Sequence, residues 1–267
     1  MQLKGMRKNK KNKIKQLGYQ LLSISFWILV WDTASRRIDN EILLASPLQV
    51  LQTIGSLIVT LEFWQTIAFS SLRIFLGFLM ALIIGTILAV LSHWIGLLRE
   101  LISPLIKVVK ATPVASFIIL FLFWFHSRNL STYISFLMVL PVVYLNILQG
   151  LKATDDKLLQ FAKVFRLNLW RKIRSIYLPA IIPYMIAAVS IALGFAFKSG
   201  IAAEVIGIPA RSIGRKLYEA KLNLMTKEML AWTVVIILIS VLFEKAVLFA
   251  IRVLHNKGNG ETENKEF

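Results

Sequence analysis

The chain of 267 residues has no cysteine and three histidines, His93, His126 and His255. The first absence removes disulfide frameworks and thiol chemistry. The second leaves no basis for a metal centre, because the three lie far apart and lack ligand spacing. Acidic residues are scarce as well, 14 Asp and Glu against 31 Lys and Arg. The adjacent pair Asp155 and Asp156 is all that a general acid and base could draw on, so no catalytic residue and no cofactor are expected. No Gly-x-x-x-x-Gly-Lys-[Ser/Thr] stretch is present, and the chain cannot itself cradle nucleotide phosphates. A formal charge of +17 could suit nucleic acid, but with 57% hydrophobic and 17% charged residues most of the sequence cannot be solvated.

What is abundant is apolar sequence in long runs. A helix needs about 20 apolar residues to cross the hydrocarbon. Runs of that order fall near 17–35 (within an anchor segment 17–37), 66–91, 111–126, 131–149, 180–197 and 229–251. The expectation is an all-α, polytopic membrane protein with about six transmembrane helices. The third run is short and is expected to extend back through Leu101 to Val109, with Pro104 and Pro113 bending the helix instead of ending it. Seven Lys/Arg residues in the basic segment 1–16 precede the first run and two, Arg36 and Arg37, follow it. The positive-inside rule then puts the N-terminus, the stretch 150–178 and the tail 252–267 in the cytoplasm. Residues 198–228 fall outside and oppose that rule, with Lys198, Arg211, Arg215, Lys216, Lys221 and Lys227 against Glu204, Glu219 and Glu228. Trp31 and Asp32 stand where small residues would precede a signal-peptide cut, which favours an uncleaved anchor.

The basic interruption 153–178, "ATDDKLLQFAKVFRLNLWRKIRSIYL", divides into two short helices. Leu158, Phe161, Ala162 and Phe165 recur at helical spacing on one face, with Lys157, Gln160, Lys163 and Arg166 opposite. Thr154, Asp155 and Asp156 provide an N-cap and negative charge at the helix start. Asn168 allows a turn, after which Trp170, Ile173 and Tyr177 share a face opposite Arg171, Lys172 and Arg174. By itself this pattern fits an amphipathic connector resting on the inner leaflet.

Order and spacing add a resemblance. The stretch resembles the cytoplasmic loop of permease subunits of bacterial ABC importers, whose pattern is Glu-Ala-Ala, three residues, Gly, nine residues, Ile, one residue, Leu-Pro. Ile176, Leu178 and Pro179 match its end, so that Gln160, Phe161 and Ala162 stand on Glu-Ala-Ala and Arg166 on the Gly. "SSLRIFLGF", with Arg73 and Gly77, is similar to the family's Thr-Leu-x-Arg-x-x-x-Gly-Phe signature. "ATPVASFIILFLFWF" resembles its Pro-x-x-Ala to Leu-Trp-Phe segment, with His126 in place of the usual Gly. "LPAIIPYMIAAVSIALGFAFKSGIAAEVIG" is similar to the fifth helix and its Ala-Ala-Glu end in the sulfonate, nitrate, taurine and thiamine-precursor branch.

The resemblance implies a type I importer permease, multi-pass in the bacterial inner membrane, with residues 62–250 as its transmembrane domain. It implies a homodimeric pore, a cytoplasmic ABC ATPase dimer and an extracytoplasmic substrate-binding protein as partners, with lipid around it and no nucleic acid. It assigns ATPase coupling to Gln160, Phe161, Ala162, Phe165 and Arg166, with the first helix inserting its apolar face into a groove on the ATPase. Arg73, Lys198 and Glu204 are the candidates for the translocation path, since an ionisable group at membrane depth by default faces a cavity or a partner. The competing expectation for Lys198 and Glu204 is snorkelling at the outer interface, and for Arg73 capping of carbonyls or pairing with another helix. Two other classes stay open: an integral membrane enzyme acting on lipid, and a carrier energised by an ion gradient, which would show internal repeats and membrane-embedded acids. Arg73 and Lys198 lean toward an anionic solute; the branch itself also takes neutral and cationic vitamin precursors.

Overall fold

In the computed structural model the backbone is described for residues 2–263 and side-chain surroundings for 18–251 and 253. The basic segment 1–16 and, save for position 253, the tail 252–267 lie outside the described side chains. Among the described residues the chain is helical throughout, without a strand. Helix α1 covers Gln2–Ile38, α2 Pro47–Ile58, α3 Leu61–Trp94, α4 Gly96–Ala111, α5 Val114–Trp124 and α6 Leu130–Lys152. Two short helices follow, α7 (Asp156–Val164) and α8 (Leu169–Lys172), then α9 (Leu178–Gly207), α10 (Ile213–Leu222) and α11 (Thr226–Glu263).

Side-chain caps set several starts. Ser46 accepts from the Gln49 amide while the Gln49 side chain reaches back to the Ser46 amide, a capping box with Pro47 pre-set for the first turn. Thr60 accepts from the Phe63 amide and carries α3 outward beyond the apolar run expected to begin at 66.

Four stretches are long and apolar enough to cross a membrane: Leu61–Trp94, Ser127–Lys152, Leu169–Gly207 and Thr226–Ile251. The pair α4 and α5 qualifies together but bends by 107° at its break. Among the described residues, five of the six expected spans thus reappear, four as single stretches and one as the broken pair, and the expected first span, 17–35, lies within α1, where Gln20, Ser23, Ser25, Asp32 and Thr33 punctuate its apolar residues. The expected effect of the prolines is half corrected. Pro104 stays inside α4, whereas Pro113 ends it, because the residue before a proline is driven to extended backbone and Thr112 adopts φ −82° and ψ 132°.

Helices α3, α6 and α9 form the centre. Apolar tails of lipid supply no hydrophobic drive between helices, so close approach and interhelical hydrogen bonds must hold them. Gly77 permits the approach of α3 to α6: a Cβ there would stand 2.3 Å from the Thr132 carbonyl oxygen. A Cβ at Gly200 would stand 2.6 Å from both Ile74 and Ser135, where all three helices meet. Thr132 Oγ1 donates to the Arg73 carbonyl (3.0 Å) and Ser135 Oγ to the Ala196 carbonyl (2.9 Å), pinning α6 to both neighbours. Helix α11 closes the side through Phe243, whose ring lies 5.5 Å from those of Phe75 and Phe197. One end of the bundle carries α7 and the other carries α10.

Candidate functional site

At the α10 end, Thr66, Ser70 and Arg73 recur along one face of α3 opposite the last turn of α9. Glu204 projects from that turn and is 0% exposed. Its Oε2 accepts from Ser70 Oγ (2.7 Å) and from the Gly214 amide (3.2 Å). Ser70 Oγ in turn accepts from the Ile213 amide at 2.9 Å. Arg73 Nη1 stands 4.0 Å from Glu204 Oε1, close enough for an ion pair and too far for a hydrogen bond. One amide of the first turn of α10, that of Gly214, thus points at a carboxylate, the charge that a helix N-terminus favours, and the Ile213 amide reaches it through Ser70. Ser212 supplies the cap by accepting from the Arg215 amide (3.1 Å). Space allows only glycine at 214, where a Cβ would fall 2.3 Å from the Glu204 Cβ.

The candidates for the translocation path therefore separate. Arg73 and Glu204 meet in a packed junction that ties α3, α9 and α10, so Glu204 does not snorkel and Arg73 takes the pairing role. Lys198 is exposed and, among the described residues, is in no ion pair. It continues the face of α9 that presents Ile191 and Phe195. Those two line an apolar cleft of about 460 Å³ with Val114, Met138, Pro141 and Asn146, beside the α4–α5 break. Sequence reasoning missed Ser70, three residues before Arg73, and the Ser-Ile-Gly start of α10. It also passed over Glu244, an acid in an apolar run of α11, which accepts a hydrogen bond from Ser190 on α9.

At the other end, Asp155 caps α7 by accepting from the Lys157 amide (2.8 Å). The apolar face expected of this helix is split. Ala162 is 3% exposed and Leu159 packs on the core, whereas Leu158, Phe161, Val164 and Phe165 are exposed. Phe161 and Phe165 stack with centroids 4.2 Å apart. Ala162 lies on the side of α7 that, with Leu159, Leu167 and Lys172, lines an open recess.

Arg166 has φ +48°, and it stands where the family loop has glycine. The Leu167 amide donates to the Ala162 carbonyl (2.9 Å) and the Arg166 amide to the Lys163 carbonyl (3.2 Å), a Schellman ending that needs a left-handed residue at 166. The second short helix does not stop before Pro179. It runs through a π-helical turn, Ile173–Tyr177, into α9. The wider turn advances the phase, so Tyr177 is buried beside Trp94 and His93 while Trp170 and Ile173 stay exposed. The expected common face of Trp170, Ile173 and Tyr177 is lost for that reason.

Residues 81–258 match the family described as "binding-protein-dependent transport system inner membrane component". The chain is 23% identical over 244 residues to the putative aliphatic sulfonates transport permease protein SsuC of Bacillus subtilis, covering 89% of this chain and 87% of that one. It is 24% identical over 236 residues to the taurine transport system permease protein TauC of Escherichia coli, covering 85% and 84%. With the nitrate import permease protein NrtB of Leptolyngbya laminosa it shares 25% over 197 residues, 69% of each chain.

Two outcomes follow from this geometry. Glu204→Ala leaves the part-buried Arg73 without a counter-charge and Ser70 and the Gly214 amide without their acceptor, and should lower stability by about 2–3 kcal/mol, read as a lower melting temperature in detergent and reduced membrane abundance, with Glu204→Gln milder. Arg166→Gly relieves a left-handed L-residue and should stabilise the loop by about 1 kcal/mol, read as slower hydrogen exchange at the Leu167 amide.

Proposed function

The chain belongs to the binding-protein-dependent transport system inner membrane component family and is an ABC importer permease subunit for small solutes; from that premise we propose how it is driven and what it carries. The drive comes from a separate cytoplasmic ATPase that docks on α7, in a complex where two copies of this chain line the pore and an extracytoplasmic binding protein delivers solute. The observation that supports this is the exposed aromatic pair Phe161 and Phe165 on a capped helix outside the membrane-spanning stretches. A helix laid into a groove buries such anchors, and Leu158 and Val164 extend the patch. Gln160 and Arg166, exposed beside it, contribute polar contacts at its edge. Ala162 borders the recess beside this patch, and force on Phe161 and Phe165 passes through Leu159 to the core. On this reading the α7 end and the N-terminus are cytoplasmic, in accord with the basic residues gathered around 152–174.

The solute is a small anion of the sulfonate or nitrate kind, the substances in the names of the three relatives. Lys198 supports this, one turn beyond Phe195 on the face of α9 that lines the apolar cleft, with Lys110 in the wall of that cleft. Arg73 is placed apart from the path, held by Glu204, and acts as a fastening of the outer end.

Phe161→Asp combined with Phe165→Asp should abolish co-purification of the ATPase while the melting temperature of the chain stays unchanged, since both side chains are exposed. Ala162→Asp should lower the melting temperature itself; full ATPase retention in the first variant would remove docking from α7. For the solute, Lys198→Ala should cut uptake by about tenfold at normal membrane abundance, the scale of one lost charge-assisted contact. Uptake measured with labelled sulfonate and nitrate checks both the residue and the class.

A further inference from the structure

Facing turns of α4 and α6 enclose a cleft of about 500 Å³ toward the α7 end, separate from the Arg73–Glu204 junction and from the exposed face of α7. Arg99, Ser103, Lys107 and Lys110 follow one another down α4 at spacings that keep them on one side, and α6 contributes Tyr144 and Lys152, two turns apart. Four cations therefore share one concavity. The acid in its wall, Glu100, lies 3.6 Å from Arg99 with its side chain 73% exposed at the rim. Among the described residues, Lys107, Lys110 and Lys152 form no ion pair.

A second observation points the same way. Tyr144 is 2% exposed, lines this cleft, and its hydroxyl has no hydrogen-bond partner among the described residues. Buried hydroxyls are ordinarily paired, and like charges gathered along one cleft repel unless an anion sits among them. A guanidinium, three ammonium groups and two hydroxyls present donors from several directions with one rim acceptor, the complement of a tetrahedral oxyanion. From these we infer that the α4–α6 cleft binds a phosphate-type oxyanion.

Two sources share that chemistry, the headgroup of an anionic phospholipid and a free phosphate or sulfate. The surroundings favour the lipid. Leu101, Leu105 and Val108 on α4 are exposed next to the cations, so acyl chains can lie along α4 while the headgroup enters the cleft. Such binding requires neither ATP nor a transported solute, so it stands or falls separately from the transport reading.

The test uses the delipidated full chain without ATP or solute. One arm counts phosphatidylglycerol retained after incubation with mixed phosphatidylglycerol and phosphatidylcholine micelles, by native mass spectrometry. The other measures radiolabelled inorganic phosphate by equilibrium dialysis. The combined variant Lys107→Gln and Lys110→Gln should weaken binding at least about tenfold, and Tyr144→Phe about threefold. Lys221→Gln with Lys227→Gln, which removes equal charge at the α10 end, should stay within about twofold. Melting curves verify that each variant is folded. Loss confined to phosphatidylglycerol assigns the site to lipid, and loss of phosphate binding assigns it to a free anion. No loss in the site variants, or equal loss in the control, overturns the inference.

Discussion

The bundle depends on how closely the backbones of α3, α6 and α9 approach one another. In water, burial of apolar side chains would hold three such helices; in lipid the tails are as apolar as leucine and that drive is absent. What remains is contact at short range and hydrogen bonds that find no competitor in the hydrocarbon. Gly77 and Gly200 supply the first, because a methyl group at either would lie within 2.6 Å of a neighbouring helix. Thr132 and Ser135 supply the second, each donating to a carbonyl on another helix. Every other feature hangs from this triad. The junction at Glu204 joins α9 to α3 one turn beyond Gly200, and α7 rests on the opposite end of the same packed group.

Polar chemistry is distributed to match. Groups that must lie inside the fold are tied to one another, as Glu204 is to Ser70, Arg73 and the Gly214 amide. A buried pair of this sort is weak as a source of net stability and strong as a specifier, since removing one partner costs far more than forming the pair returns. It fixes the one arrangement of α3, α9 and α10 in which both charges are answered. Ile208 fits this account: a β-branched residue at φ +47°, ahead of Pro209, persists only where its surroundings over-determine it, and its amide donates to the Glu204 carbonyl. Cations that are not tied in this way, such as Lys198, Lys107 and Lys110, face exposed surface or clefts, where a solute or headgroup can reach them.

The spans were legible because an apolar run has few other destinies. Those near 66–91, 131–149, 180–197 and 229–251 all reappear, lengthened where caps such as Thr60 or the π turn at 173–177 carry a helix past its apolar part. Residues 17–35 give a weaker signal, because Gln20, the serines and Asp32 dilute their apolar residues. Pro113 misled because a proline in a lipid-facing helix can bend or break it, and the outcome rests on whether neighbours satisfy the freed backbone groups. The period of α7 was readable, but its orientation was not. Nothing in the spacing tells that the small residue, Ala162, turns inward and the aromatics outward; that follows from the space left beneath α7. The meeting of Arg73 with Glu204 across a separation of 131 positions leaves no periodic trace at all, and Ser70 and Gly214 become interpretable only once the two charges are seen together.

A permease of this family must pass motion from one end to the other, and the packing indicates which parts can move. Close-packed contacts are bistable and resist gradual deformation. The glycine-mediated crossing of α3, α6 and α9 is therefore suited to travel as a body. The α4–α5 break is different: it turns by 107°, α5 starts at Pro113 without a side-chain cap, and clefts open beside it. Segments with few buried contacts and uncapped ends lie at the low-stability end of a structure, from which moving elements are drawn. A push received at Phe161 and Phe165 would then shift the rigid triad against the broken pair. On the proposed reading, the apolar cleft between them, with Lys110 in its wall and Lys198 one turn beyond Phe195, would be the space whose shape changes.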